Sequence, residues 1–200
     1  SALGEIAIKA AMERAGVKRM VFSSSCAIYG APEETPISET TPANPVNPYG
    51  ASKLACERLL DSLDRKYEFK SVRLRYFNAA GADASAEVGE DHDAETRLIP
   101  LALHSLVGRR PPLALFGSDY PTPDGTAIRD YVHVSDLARG HVMALRHLMA
   151  GGGTSVLNLG LGKGASVREV LDTIRDVTGR AVPTVSAARP PRIAALVLAA

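Results

Sequence analysis

The spacing of apolar residues near the start of the chain predicts an amphipathic helix over residues 2–15. The residues of its buried stripe are Leu3, Ile6, Ala7, Ala10 and Ala11. After a short basic turn from Val17, the apolar residues 20–22 predict a strand that the serine run at residues 23–25 closes, and residues 70–78 predict a second strand. Between them, Asn47 can cap a helix that begins at Pro48, because a proline there lacks only an N–H without a helical partner. A strand, a crossover helix and a second strand form the unit of a parallel sheet.

The remaining chain continues this alternation of helices and strands. A polar loop is expected over residues 79–95. Further helices are expected at about residues 96–107, 135–149 and 166–178, and further strands at residues 113–116, 128–134 and 155–159. The order of these elements indicates an α/β fold built on a parallel sheet.

Composition argues against several functional classes. The chain has 200 residues, of which 46% are hydrophobic, enough to bury a core. Its formal net charge of +1, without clusters of like charge, argues against binding to nucleic acid or to a membrane surface. The longest apolar run, residues 193–200, is far shorter than the roughly 20 residues that span a bilayer. The cysteines, Cys26 and Cys56, and the histidines lack metal-ligand spacing, so we expect no metal site and a reducing, cytoplasmic compartment.

Tyr49 and Lys53 are the most informative pair of residues. They lie four residues apart at the start of the predicted helix, so the Lys53 ammonium is one turn from the phenol and near the positive end of the helix dipole. Both influences favour a phenolate, which could act as a base. Ser25, at the end of the first strand, would relay or orient the proton. The alternative is that tyrosine and lysine lie on a solvated helix surface without a catalytic role.

The position of these residues in the predicted sheet favours the catalytic interpretation. Ser25 and Asn78 both follow predicted strands. In open parallel sheets, ligands bind beyond the carboxyl ends of the strands. We therefore expect a ligand site near these two residues.

The glycine-rich stretch at residues 160–165 allows two interpretations. It follows a strand, opens a helix and nearly matches the dinucleotide fingerprint, whose glycines let a backbone approach a pyrophosphate. However, no acidic residue at the end of a second strand follows at the expected spacing, and Ser166 with Glu169 forms a capping-box pattern. We therefore favour a tight strand-to-helix turn.

Several segments combine into a more specific pattern. They are Ser-Ser-Ser-Cys-Ala-Ile-Tyr-Gly at residues 23–30, the Tyr-x-x-x-Lys pair at residues 49–53, Arg-Tyr-Phe-Asn at residues 75–78, and the run over residues 116–134. Together they resemble the UDP-glucose 4-epimerases, a family of the extended short-chain dehydrogenase/reductase superfamily. The Tyr-x-x-x-Lys pair marks only the superfamily, whereas residues 89–100 and 119–126 point to the epimerase branch. The likeness extends to about Thr184.

This resemblance implies a Rossmann-like, doubly wound parallel sheet with a smaller C-terminal α/β substrate domain. Residues 1–79 would form the second half of the NAD-binding domain. Residues 80–200 would mainly form the UDP-sugar-binding domain, with elements around residues 128–150 returning to the Rossmann sheet. Because the family's dinucleotide fingerprint lies in its first strand, turn and helix, this chain would be an inactive fragment that starts after it. The full-length protein would be a homodimer.

The implied activity is the NAD-dependent epimerisation of UDP-glucose and UDP-galactose at C4 through a transient 4-keto intermediate. The implied catalytic residues are Tyr49, Lys53 and Ser25, and the implied NAD contacts are the same three residues with Phe77. The implied substrate-binding residues are Ser25, Tyr49, Asn78, Arg97, Leu98, Phe116 and Arg129.

Within this set, Leu98 and Phe116 would line the uracil pocket, while Arg129 would hold the diphosphate. The alternative for Arg129 is a structural ion pair with Asp130 or Asp136. Arg97 departs from the asparagine or histidine usual in the family. Arg189 begins a segment that departs from the family's arginine-proline-glycine-aspartate pattern, so we assign it no phosphate role.

Two other functions stay open. A 4,6-dehydratase or decarboxylase of the superfamily begins with the same oxidation at C4, although a dehydratase would need an acidic pair where Cys26 and Ala27 stand. A non-catalytic sugar-nucleotide-binding module would keep the substrate contacts without a cofactor site. Separate titrations with NAD+ and with UDP distinguish such a module from the epimerase.

Overall fold

The computed structural model of the chain describes residues 10–90, 95–189 and 194–200. Residues 10–14 are helical, as predicted, whereas the stripe residues Leu3, Ile6 and Ala7 lie outside the described residues. The strands are β1 (Arg19–Ser23), β2 (Lys70–Tyr76), β3 (Asn78–Ala80), β4 (Leu113–Phe116), β5 (Ile128–His133), β6 (Ser155–Leu159), β7 (Gly164–Ser166), β8 (Thr184–Ala187) and β9 (Leu196–Val197). The helices are α1 (Pro48–Tyr67), α2 (Leu98–Leu106), α3 (Val134–Met149) and α4 (Val167–Thr178), and a short 3-10 helix spans Cys26–Tyr29.

The first sheet has the strand order β1–β2–β6, and both strand pairs are parallel. On one face, Val72 and Leu74 of β2 pack against Leu148 of α3. On the other face, Phe22 of β1 packs against Leu60 of α1. Helices on both faces of a parallel sheet are the mark of a doubly wound fold, so that prediction is confirmed.

The chain passes from the first sheet to a second sheet at Phe77. β2 ends just before this residue, and β3 begins just after it and pairs in parallel with β5. β5 also pairs with β7 in the antiparallel direction and with β9 in the parallel direction. Of the elements expected to return to the Rossmann sheet, α3 packs on β1 and β2, whereas β5 pairs within the second sheet. The assignment of these layers to a cofactor domain and a substrate domain stays a prediction.

A third layer contains the two parallel strands β4 and β8 with helices α2 and α4. Its core is a cluster of buried apolar residues, Ala102, Leu106, Leu113, Ile174 and Val182. The cluster joins segments that are far apart in the sequence, since it draws on α2, β4, α4 and the residues before β8. This layer carries the predicted uracil-binding residues.

The last residues of the chain form an element that the sequence did not predict. Ile128 donates its N–H to Ala195 at 2.8 Å, and β9 then runs along β5. Ala199 is only 2% exposed and packs in a core cluster with Ile28 and Phe77. This segment is therefore an integral strand of the second sheet.

The glycine-rich stretch at residues 160–165 binds the carboxylate of Asp130 through backbone N–H groups. Asp130 is fully buried and accepts hydrogen bonds from the N–H groups of Leu161 at 2.9 Å and Gly162 at 3.0 Å. Ser166 and Glu169 form the expected capping box at the start of α4. These loop donors already bind an internal anion, which supports the structural interpretation over a pyrophosphate site. The predicted direct turn from strand to helix is wrong in one respect, because Gly164–Ser166 forms the short strand β7 before α4 begins.

Candidate active site

Helix α1 begins as the sequence predicts. Asn47 Oδ1 accepts a hydrogen bond from the Gly50 N–H at 2.8 Å, and Pro48 is the first helical residue. Tyr49 lies in the first turn with 54% of its surface exposed. Lys53 Nζ lies 5.8 Å from the centroid of the Tyr49 ring and 5.0 Å from that of Phe22. The lysine therefore stands between the exposed phenol and the end of β1.

Ser25 lies on the element against which the start of α1 packs. It is 8% exposed, and its Oγ accepts a hydrogen bond from the Ala27 N–H at 3.2 Å, which caps the 3-10 helix. Gly50 approaches this helix so closely that a Cβ atom would collide with the Ala27 carbonyl oxygen. The structure thus places the serine and the Tyr49–Lys53 pair on touching elements, and their catalytic roles stay predictions.

Each serine of the run at residues 23–25 has a different partner. Ser23 Oγ lies 2.9 Å from His141 Nε2 of α3. Ser24 is fully buried and donates its hydroxyl to Glu57 Oε1 of α1 at 2.5 Å. Sequence reasoning did not single out Glu57, although a carboxylate four residues after Lys53 on a helix expected to pack on a sheet is a signal for a buried partner.

Arg129 is a half-buried guanidinium on β5. Its Nη1 donates to its neighbouring Ile128 carbonyl at 2.7 Å. The predicted alternative of an ion pair with Asp130 or Asp136 is wrong, since Asp130 binds backbone N–H groups and Asp136 pairs with Arg139 at 2.5 Å. Among the described residues, no carboxylate pairs with Arg129. An anionic ligand would supply the missing counter-charge.

The surroundings of Arg129 are aromatic and polar. Burial lowers the pKa of its guanidinium, an effect opposed by Tyr131, Tyr120 and Cys26 nearby. Tyr131 lies two residues on and so shares the face of β5 with Arg129, and Asn78 of β3 is its register partner. Burial raises the pKa of Tyr131, while the Arg129 charge opposes the rise. Sequence reasoning missed Tyr131, although the alternation within the predicted strand could have found it.

A second arginine approaches the same region. Tyr120 is 4% exposed, and the guanidinium of Arg189 lies 4.2 Å above its ring centroid. Because the charge of Arg129 also acts on Tyr120, the two arginines are close to one buried aromatic ring. A stacked guanidinium keeps its N–H groups free for a ligand in the plane of the fork. The geometry therefore adds Arg189 to the candidate anion-binding residues.

The predicted uracil residues line one cleft. Leu98 at the start of α2 and Phe116 at the end of β4 border an open cleft of about 350 Å³. Phe116 is 55% exposed, which leaves its ring available to a flat ligand. Arg97 precedes this cleft, but its guanidinium forms ion pairs with Glu90 and Glu95. Its predicted contact with substrate would have to compete with these carboxylates.

Phe77 lies at the point where the chain changes sheets. It is 6% exposed and belongs to a core cluster with Ile28, Tyr29, Ile37 and Ala199. Packing in this core cluster is sufficient to explain why Phe77 is buried, and no ligand contact is needed to explain it. Its predicted contact with a nicotinamide stays a prediction.

The Cys26 thiol gives a prediction about reactivity. Burial raises its pKa to about 11, although Arg129 and a hydrogen bond with Ser25 act in the opposite direction. A thiol with this pKa holds far less thiolate at pH 8 than an unfolded one, so alkylation by iodoacetamide should be roughly a hundredfold slower in the folded chain than in urea. Mass spectrometry of the peptide containing Cys26 measures both rates. Equal rates would contradict the burial of the thiol.

Within residues 10–90, 95–189 and 194–200, no group of three or more His, Cys, Asp or Glu side chains is arranged to hold a metal ion. In the same described residues, every helix is too short or too polar to cross a membrane.

Sequence comparison identifies relatives along most of the chain. The model of the NAD dependent epimerase/dehydratase family matches residues 1–160. The UDP-glucose 4-epimerase of Azospirillum brasilense is 55% identical over 178 residues, which are 89% of this chain and 51% of that protein. The UDP-glucose 4-epimerase of Lacticaseibacillus casei is 48% identical over 180 residues, which are 90% of this chain and 54% of that protein. The chain thus spans about half the length of the curated relatives it matches.

Solved structures share the fold. The UDP-glucose 4-epimerase from Brucella ovis in complex with NAD matches with a TM-score of 0.96 and 46% identity, over 98% of this chain and 61% of that one. The enzyme from Bifidobacterium longum in complex with NAD+ and UDP matches with a TM-score of 0.88 and 39% identity, over 98% of this chain and 59% of that one. With its parallel sheet, its Tyr49–Lys53 helix and a family match over residues 1–160, this chain belongs to the NAD dependent epimerase/dehydratase family.

Proposed function

We propose that this chain supplies the catalytic tyrosine and the substrate-binding residues of an enzyme that interconverts UDP-glucose and UDP-galactose at C4. The observation that carries the proposal is the exposed Tyr49 phenol with the Lys53 ammonium 5.8 Å from its ring, on a helix that touches the element of Ser25. The relatives described as UDP-glucose 4-epimerases support the choice of substrate. The names of these relatives favour an epimerase over a dehydratase or decarboxylase.

The residues at this site fit the nicotinamide end of NAD. Tyr49 and Lys53 offer a hydroxyl and an ammonium, which are suitable donors for a ribose, and the exposure of the phenol leaves space beside them. The N–H groups of Leu161 and Gly162 bind Asp130 and would not hold a pyrophosphate. When bound, NAD supplies reversible hydride acceptance at C4 of the hexose.

Tyr49 would move the proton that accompanies this redox step. As phenolate it takes the proton from O4 while C4 is oxidised, and as phenol it returns a proton when C4 is reduced. Lys53 would place its positive charge beside the Tyr49 ring, and the Ser25 hydroxyl would orient O4. Since the two sugars differ only at C4, the 4-keto hexose must turn over while the nucleotide stays anchored.

Anchoring would come from the second sheet and the third layer. Arg129 and Arg189 would bind the diphosphate near Tyr120, and Asn78 would donate to the sugar. Leu98 and Phe116 would hold the uracil in their cleft. A role for Arg97 would require its guanidinium to leave Glu90 or Glu95.

The proposal extends to the whole protein. Residues 1–79 would complete a cofactor domain, and residues 80–200 would mainly bind the sugar nucleotide. The full-length protein would be a cytoplasmic homodimer. Light scattering after gel filtration of the full-length protein tests the dimer.

The test of this function needs a complete cofactor domain. We suggest a hybrid protein in which this chain is joined to the part of the Azospirillum brasilense relative that it does not cover. Incubated with UDP-galactose and NAD+, the hybrid should produce UDP-glucose, measured by anion-exchange chromatography. A 4-keto-6-deoxy product would favour the dehydratase, and UDP binding without turnover would favour the non-catalytic module.

Arg129→Ala tests the diphosphate contact. Loss of a charge-assisted bidentate contact should weaken UDP binding by about 1.5–3 kcal/mol, or roughly ten- to a hundredfold. Isothermal titration with UDP measures the change, and NAD+ affinity of the hybrid should hardly move. Arg139→Ala, which removes an exposed arginine of α3, is the control and should leave UDP affinity unchanged. Unchanged affinity in Arg129→Ala would remove this residue from the site.

A further inference from the structure

Glu57 joins three elements of the candidate site through one carboxylate. It is 2% exposed and lies on α1, one turn after Lys53 and two turns after Tyr49. Its Oε1 accepts the hydroxyl of Ser24, the residue next to Ser25, at 2.5 Å. The helix that carries the candidate base is thus bonded to the serine run beside it.

The same carboxylate forms an ion pair with Arg75 at the end of β2. Arg75 Nε lies 3.0 Å from Glu57 Oε1 and Nη2 lies 2.5 Å from Oε2, so the ion pair is bidentate. Arg75 Nη1 donates to the Tyr29 hydroxyl at 2.9 Å, and Tyr29 in turn donates to Asn158 of β6 at 2.7 Å. Tyr29 ends the 3-10 helix that Ser25 caps. The network therefore returns to the element that holds Ser25.

We propose that Glu57 is a positioning residue that fixes Ser25 relative to Tyr49 and Lys53. A bidentate arginine–carboxylate pair has a defined geometry, and a buried ionic group can specify an arrangement even where it adds little stability. Proton transfer requires the serine, the tyrosine and the lysine to keep fixed positions, because a displacement of about 1 Å can lower a rate by roughly a hundredfold. The catalytic consequence rests on the proposed function.

The same helix and strand contain a matched control. Arg73, two residues before Arg75 on β2, is buried and pairs with Asp61 of α1 at 2.6 Å. This pair also joins α1 to β2, but it lies one turn further from Tyr49. Within the described residues, Asp61 forms no hydrogen bond with the serine run. Loss of the Arg73–Asp61 pair should weaken the packing of α1 against β2 without displacing Ser25.

Kinetics of the hybrid protein compare the two pairs. Glu57→Gln should lower kcat by about ten- to a hundredfold with UDP affinity and the KM for UDP-galactose nearly unchanged. Asp61→Asn should leave kcat within about twofold, even where both variants lower the melting temperature. Ser24→Ala removes only the link to the serine run and should lower kcat by about three- to tenfold. Equal kcat values in Glu57→Gln and the unchanged hybrid, or equal losses in Glu57→Gln and Asp61→Asn, would overturn the proposal.

Hydrogen exchange provides a readout that does not depend on activity. The Ala27 N–H bonds to Ser25 Oγ, so its exchange reports how firmly the serine is held. In Glu57→Gln, the peptide covering residues 24–30 should exchange about tenfold faster than in Asp61→Asn, as measured by mass spectrometry. Equal exchange in the two variants would overturn the positioning role, whereas an unchanged hybrid without epimerase activity would count only against the proposed function.

Discussion

Tyr49→Phe in the hybrid protein should lower kcat by about a hundred- to ten-thousandfold and leave UDP affinity unchanged. The change removes only the hydroxyl, so the ring keeps its place beside Lys53 at the start of α1. The proposed uracil and diphosphate contacts belong to other layers. The free energy of UDP binding should therefore be unchanged when proton transfer is lost. Initial rates with UDP-galactose, together with isothermal titration of UDP, separate the two effects.

Tyr67 provides the control on the same helix. It lies at the end of α1, is 45% exposed and has the Lys66 ammonium 5.1 Å from its ring centroid. Tyr67→Phe therefore removes an exposed phenol beside a lysine that lies far from the serine run. Normal kcat in Tyr67→Phe with a large loss in Tyr49→Phe would support Tyr49 as the base. A near-normal kcat in Tyr49→Phe would require a different base.

The start of α1 was predictable because its signals are local. Asn47 and Pro48 define a helix end through their own hydrogen bond and ring geometry, and no distant residue is needed to interpret them. The spacing of Tyr49 and Lys53 then follows from the helical repeat. The same kind of signal, the capping box of Ser166 with Glu169, located α4. Helix α3 was expected from residue 135, but it begins at Val134 after a cap by His133 that the sequence analysis did not foresee.

The second sheet was much less predictable. β3, β7 and β9 have three, three and two residues, too few for any period to appear in the sequence. They exist because β5 pairs with each of them, and those contacts join residues far apart along the chain. The expected polar loop at residues 79–95 accordingly begins with two residues of β3. Periodicity indicated β5 itself but not its neighbours.

The wrong ion-pair alternative for Arg129 has a simple physical cause. Consecutive residues of a strand point to opposite faces, so Arg129 and Asp130 cannot meet once residues 128–134 are a strand. The alternation that predicts the strand therefore already excluded the pair. The bonds between Ser24, Glu57 and Arg75 were not accessible in this way, because they depend on how three separate elements pack.

Asp130→Ala should lower the free energy of unfolding by about 2–5 kcal/mol, a large share of the roughly 5–15 kcal/mol that stabilises a typical domain. Asp130 is fully buried and accepts three backbone N–H groups, from Leu161, Gly162 and Ala199. Alanine would leave the buried Ala199 N–H without an acceptor, at about 1–3 kcal/mol. Leu161 and Gly162 are exposed, so water would partly replace the bonds that they lose, at about 0.5–1 kcal/mol each. Urea unfolding of the 200-residue chain, followed by circular dichroism, measures the change.

Asp136→Ala separates this effect from the mere loss of an acidic residue. Asp136 pairs with Arg139 on the exposed side of α3, so its removal should change stability by less than about 1 kcal/mol. An equally small change in the free energy of unfolding for Asp130→Ala would show that water replaces the carboxylate. The conformation of the glycine loop at residues 160–165 would then not depend on Asp130. A large loss confined to Asp130→Ala would mean that one carboxylate ties β5, the glycine loop and residues 194–200 together, directly beside Arg129 in the chain.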